Sequence, residues 1–257
     1  MILEPLDYLN GTLSIIIVTT NIIVGINIAS KYFQYKQREF LLVGIFWMGI
    51  ACPWYPSSIS FLVALATGKG LEIQIYLIIG DVLIPLLIVI WLAGITDLMY
   101  KNKQQIILIL ASIYGILFEI MFFYLLFTDY TLLGELQGIV DVQYKVFLIL
   151  YIFSVFIILL ITGILFSLDL LRSEDPELKL KGKLILVGLL SFLIGAIMDA
   201  SIPLNFITLP ITRMILILSS VEFYAGFVLP KWTKKIFIKP QRGIDKTISK
   251  INTGDMK

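Results

Sequence analysis

A chain of 257 residues that is 59% hydrophobic and 15% charged, with a mean hydropathy of +0.96, has more apolar surface than one aqueous core can hold. Lipid is therefore its expected solvent, and the fold class expected is all-α and polytopic. The net charge is only +2; a single cysteine, Cys52, excludes an intramolecular disulfide, and the absence of histidine removes the commonest metal ligand and general base. No cofactor, no metal, no enzymatic activity and no nucleic-acid partner is expected.

The start, "MILEPLDYLN", carries Glu4 and Asp7 and lacks the basic segment of a cleavable leader, so the first apolar run is expected to be retained. "NGT" at Asn10–Thr12 fits a glycosylation acceptor. Seven apolar runs follow at about 11–30, 40–66, 73–97, 106–128, 145–170, 182–202 and 208–230, each near the length of about 20 residues that crosses a bilayer. Residues 1–230 are read as a seven-helix bundle and 231–257 as a basic tail. Seventeen of the twenty Lys and Arg residues fall on one side of this arrangement, and Lys69, Lys145 and Arg213 on the other. That bias places the N-terminus outside, the C-terminus in the cytoplasm and the protein in the cell membrane.

The second run is broken by "GIACPWYPSSISF", where Pro53 and Pro56 each remove a backbone donor. Such breaks are tolerated where they pack in protein or line a cavity, so Trp54 and Tyr55 either line an outward-facing pocket or belong to an interfacial aromatic belt. The third run, "YLIIGDVLIPLLIVIWLAGI", places Asp81 at membrane depth. Glu119 lies in the fourth run, Asp199 in the sixth, and Arg213 and Glu222 in the seventh. At 1.5 Å of rise per residue, Asp81 and Glu119 sit roughly 12–14 Å below the outer boundary and Glu222 at about 20 Å, with Asp199 within about one turn of the surface.

Spacing puts these groups on inward faces: Gln74, Asp81 and Pro85; Ser112, Gly115 and Glu119; Gly188, Ser191, Gly195 and Asp199; Ser219, Glu222 and Gly226. A charge at the bilayer centre costs about 3 kcal/mol on insertion scales, so such groups face the bundle or water. Arg213 is about 180° around its helix from Glu222 and suits Asp199 across the short loop. Two readings stay open for the carboxylates: packing residues joined by hydrogen bonds, or a shared cavity for a small ligand or ion, with Asp81, Glu119 and Glu222 inside and Asp199 and Arg213 at its mouth.

After the fifth run, Asp175 is expected to cap a helix with Pro176 at its first position, and Lys179, Lys181 and Lys183 to mark entry into the inner leaflet. In the tail, Lys231, Trp232, Lys234, Lys235 and Lys239 suit a segment lying on anionic lipid, the alternatives being simple anchoring or partner docking.

The residues argue against two known membrane classes. Retinal proteins need a lysine in the last span, and "ITRMILILSSVEFYAGFVLP" has none. "IIGDV" carries a Gly-Asp of the kind in intramembrane aspartyl proteases without the second carboxylate motif.

The segment "FSLDLLRSEDPELKLKGKLILVGLLSFLIGAIMD" resembles the seven-helix N-terminal sensor module of membrane histidine kinases. The resemblance covers about 60 residues and implies a receptor- or sensor-like bundle. No kinase or other output domain is expected after Lys257, so the expectation is signalling through a separate partner protein or no signalling at all. The alternatives are a small secondary transporter, suggested by the carboxylates and the broken second run, and an accessory subunit of a membrane complex.

Overall fold

A computed structural model describes residues 3–237. Its seven helical segments Pro5–Tyr35, Arg38–Thr67, Ile73–Met99, Lys101–Thr128, Val146–Arg172, Pro176–Ser201 and Thr208–Val228 are long and apolar enough to cross a membrane. The chain is thus a multi-pass, all-α membrane protein. α1 is Pro5–Tyr35. The second span comprises α2 (Arg38–Gly49), a 3₁₀ turn (Cys52–Trp54) and α3 (Tyr55–Thr67). The third is α4 (Ile73–Asp81) and α5 (Ile84–Met99), and the fourth is chiefly α6 (Gln104–Thr128). α7 (Val146–Arg172), α8 (Pro176–Ser201), α9 (Thr208–Val228) and a short α10 (Lys231–Phe237) complete the described chain.

Local chemistry sets many of these ends. Pro5 opens α1, where its missing N–H costs nothing, and Asp7 reaches back to the Glu4 N–H in a capping box. Asp175 accepts from the Glu177 N–H at 2.8 Å and Pro176 begins α8, as the linker sequence predicts. The prolines act as expected in the second span, which narrows to a 3₁₀ turn at Cys52–Trp54. The third span is also interrupted: Val82 and Leu83 leave the helix, and Pro85 then supplies no N–H to the Asp81 carbonyl four residues before it.

The spans pack α1 on α2, α2 on α5, α5 on α6 and α7, α7 on α8, and α8 on α9, which closes the ring against α1. α6 is the outlier, its principal helical neighbour being α5. Close approach depends on glycine. A Cβ at Gly44 would stand 2.6 Å from the Gly25 carbonyl oxygen, and one at Gly188 would stand 2.7 Å from the Phe223 nitrogen. The centre is aromatic, with Trp47 stacked on Phe223 at 3.7 Å between ring centroids and both side chains fully buried.

The connection between the fourth and fifth spans holds an antiparallel hairpin, β1 (Gly134–Gln137) with β2 (Asp141–Tyr144), paired Gly134 to Tyr144 and Gln137 to Asp141. Gly138 turns the tip at φ +74°, a conformation side chains disfavour. The tip residues Ile139 and Val140 are buried against Phe61 and Ala64 of α3. The hairpin therefore folds onto the bundle at the end where α1 begins and α3 ends.

At the opposite end, Asp97 ties three spans together. It accepts from Arg38 of α2, with Nη2 at 2.7 Å from Oδ1, and from Gln104 of α6 at 2.9 Å. Lys234 of α10 pairs with Glu177 at the start of α8, also at this end. Lys231, Trp232, Lys235, Ile236 and Phe237 are exposed along α10, while Lys239 lies outside the described residues.

Candidate functional site: a polar cluster roofed by the hairpin

Arg213 enters the bundle one turn into α9 and is only 2% exposed. Its Nε lies 3.1 Å from Asp199 Oδ1, and its Nη2 donates to Asn10 Oδ1 at 3.0 Å. The guanidinium sits over the Trp54 ring, 5.6 Å from its centroid. Asp199 is held from two further directions, by the Trp54 indole N–H at 3.0 Å and the Thr212 hydroxyl at 3.2 Å. Four spans thus meet around one buried ion pair. Arg213 Nη1 finds no hydrogen-bond partner among the described residues.

Asn10 changes meaning here. It is 4% exposed and accepts from Arg213, so the "NGT" sequon does not present an acceptor for a glycan. Trp54 belongs to this cluster, whereas Tyr55 turns to its own span and donates to the Met48 carbonyl at 3.2 Å, bridging the helix break.

The hairpin roofs the cluster. Ser60 of α3 donates to the Ile139 carbonyl at 2.5 Å and accepts from the Leu71 N–H at 3.0 Å. Tyr76 of α4 donates to the Val140 carbonyl at 3.1 Å and shares a hydrogen bond with Ser57 at 2.7 Å. Asp141 accepts from the Val142 N–H at 2.9 Å. Burial pushes the Asp141 carboxyl up to about 6, with Asp199 and Asp7 adding to the rise, against the pull of that N–H and of Arg213.

A second group lies deeper. Asp81 is fully buried at the end of α4, and its carboxylate has no hydrogen-bond partner among the described residues other than the Tyr144 hydroxyl that faces it. Pro85, four residues on, packs against Gly115 of α6, where a Cβ would come within 2.9 Å of it. Glu119, four residues past Gly115 on the antiparallel neighbour, is thereby brought level with Asp81, and its charge acts on that carboxyl. The Tyr144 hydroxyl lies beside Gly80 and faces the same carboxyl, and burial raises this phenol well above its usual range.

Glu222 stands elsewhere. α9 packs mainly on α8 and α1, and Glu222 does not figure among the charges acting on Asp81. Its Oε2 is buried without a partner among the described residues. The structure therefore gathers the expected site residues in three places: Asp199, Arg213 and Trp54 together, Asp81 with Glu119, and Glu222 apart. Asn10, Tyr76, Asp141 and Tyr144 join them unforeseen. Asn10 had a readable signal, since Asn10, Ser14 and Asn21 form a stripe of buried polar residues on one face of α1. Among the described residues no group of three or more His, Cys, Asp or Glu is arranged to hold a metal.

No family model, curated protein or solved structure matches this chain.

Two predictions follow from the geometry. Asp199→Asn leaves the buried Arg213 charge without its carboxylate and should lower unfolding stability in detergent by about 3–5 kcal/mol, measured by denaturant titration. An effect under about 1 kcal/mol would mean that Arg213 is neutralised elsewhere. The second concerns Asp141, whose raised folded-state carboxyl value means that its protonated form stabilises the fold. This contribution is fully present below the unfolded-state value of about 3.9 and is lost as pH rises through about 6. Thermal unfolding of the wild type relative to Asp141→Asn should diverge across that window and run parallel above it. Parallel curves throughout would refute the coupling.

Proposed function

We propose that this protein is a receptor- or sensor-like component of the cell membrane, without enzymatic activity, that responds to a small ligand or ion at its hairpin end and signals through a separate partner protein. Its hairpin end faces outward and its opposite end faces the cytoplasm. The charge bias supports that orientation, because among the described residues the hairpin end carries Lys69, Lys145 and Arg213 and the opposite end carries the other twelve basic residues. α10 then meets the anionic inner leaflet with Lys231 and Lys235 beside exposed Trp232 and Phe237.

The observation that carries the reading is the hairpin's insertion into the polar cluster. Its tip carbonyls are held by Ser60 and Tyr76 on the second and third spans, and its Asp141 faces the Arg213–Asp199 pair of the sixth and seventh. A ligand with a carboxylate or carbonyl oxygen would find the Arg213 Nη1 donor under this roof. Displacing the hairpin to reach it would alter hydrogen bonds on several spans at once, which is what transmission across a membrane requires.

A second reading, a small ion-coupled carrier, is favoured by one observation. The two interrupted spans meet near Asp81, where a Cβ on Gly80 would lie 3.2 Å from Pro56, and paired interrupted helices flank the binding sites of many carriers. Reconstitution into liposomes separates the two. A sensor should give no proton or alkali-cation flux above empty vesicles, and flux that disappears with Asp81→Asn would replace the sensor reading with the carrier. The orientation has its own check. In a Cys52→Ser background on intact cells, cysteine at exposed Glu135 should react with an impermeant maleimide and cysteine at exposed Asn102 should not. The reverse pattern would invert the topology.

A further inference from the structure

The deeper group has a charge problem that the outer cluster does not solve. Asp81 is fully buried, and Asp199 already lies against Arg213, the only fully buried basic side chain among the described residues. A buried carboxylate left unpaired is among the costliest arrangements in a fold, and two facing each other cost more. The other polar groups around the pair are neutral. Tyr144 faces Asp81 from β2, Tyr76 from α4 and Cys52 from the 3₁₀ turn, and Tyr151 of α7 neighbours Glu119. None of these carries a positive charge, and Tyr76 already donates to the Val140 carbonyl.

Unfilled hydrogen-bonding capacity is concentrated here. Glu119 Oε2 and the Tyr151 hydroxyl are buried without partners among the described residues, and the Asp81 carboxylate and Tyr144 hydroxyl find none beyond each other. These oxygens come from four elements, α4, α6, β2 and α7. At the helix break, Pro85 offers no N–H to the Asp81 carbonyl, which therefore lacks the bond that a continuous helix would give it.

We infer that Asp81 and Glu119 form a carboxyl pair that holds one exchangeable univalent cation, a proton or a sodium-sized ion, beneath the hairpin. Two carboxylates with phenol and carbonyl oxygens suit a hard cation bound through oxygen. A single proton shared between the two carboxyls would likewise remove the like-charge repulsion. Entry of a metal cation would release that proton to water, one for one. Tyr144 makes the roof part of the site, since it comes from the strand that carries Asp141. This goes beyond the sensor reading and does not depend on it, since binding is measured here and flux above.

Infrared difference spectroscopy on the full chain in lipid nanodiscs tests the pair, at a pH above 7 where Asp141 is ionised. In choline chloride the wild type should show the carbonyl stretch of a protonated carboxylic acid, absent in Asp81→Asn and retained in Asp141→Asn. Sodium chloride should abolish the band and raise the unfolding temperature, with the half-maximal sodium concentration rising about tenfold for each unit of pH lowered while the proton competes. A band that persists in sodium but disappears in Asp81→Asn identifies the occupant as the proton. Absence of the band together with sodium stabilisation lost in Glu119→Gln identifies the metal cation. Tyr144→Phe covers the case in which the carboxyl variants do not fold, since removing the phenol should shift the band frequency or weaken sodium binding. The inference is overturned if the wild type shows neither band nor sodium effect, or if neither responds to Asp81→Asn, Glu119→Gln and Tyr144→Phe.

Discussion

Lipid supplies no counter-charge, and this molecule organises its hairpin end around that fact. Arg213 is buried in a span that would be costly to insert with a bare guanidinium, and Asp199, Asn10 and Trp54 make it affordable from three directions. Each partner sits on a different span, so satisfying one charge fixes the relative placement of four helices. Packing then completes what the ion pair begins: Gly188 lets α8 reach the α9 backbone at Phe223, and Phe223 stacks on Trp47 of α2. Specificity of arrangement comes from the polar contacts and density from the aromatic ones.

The hairpin adds a second layer to this logic. Each buried tip carbonyl would cost about as much as a lost hydrogen bond if nothing met it, and Ser60 and Tyr76 do so from within the spans. In return, the hairpin covers polar side chains that would otherwise face open solvent. The helix ends beside the hairpin and the hairpin itself are therefore one cooperative unit, whereas the Arg38–Asp97–Gln104 knot and the Lys234–Glu177 pair hold the other end.

Helix existence was legible because a span must be a continuous apolar run, and the boundaries shift mainly where polar ends extend past the hydrocarbon, as in α1, which covers 5–35 where hydropathy marks 11–30. Inward faces were legible too: Asp81, Gly188, Gly195 and Gly226 are all buried, as their spacing on each helix requires. Order around the ring was not, because helical spacing gives an angle on one helix and nothing about which neighbour stands there. Asp81 and Glu222 read alike in sequence and have different surroundings. The hairpin was hidden in an unremarkable connection, although "GELQGIVDVQY" carries a turn glycine between two short segments able to pair. Tyr76 and Tyr144 were passed over because a tyrosine near a membrane boundary looks interfacial until a carbonyl or carboxyl is found at its hydroxyl.

The Asp97 knot has a mechanical meaning. It binds the second, third and fourth spans at one level, while hydrogen bonds near the far ends of the second and third run to a loop. Clamped low and latched high, a helix of about 27 residues is a lever of about 40 Å. A tilt of about 5° about the clamp would carry its far end through roughly 3–4 Å, more than a hydrogen bond can stretch. Release of the latch would thus be all-or-none at the top while the fulcrum barely stirs.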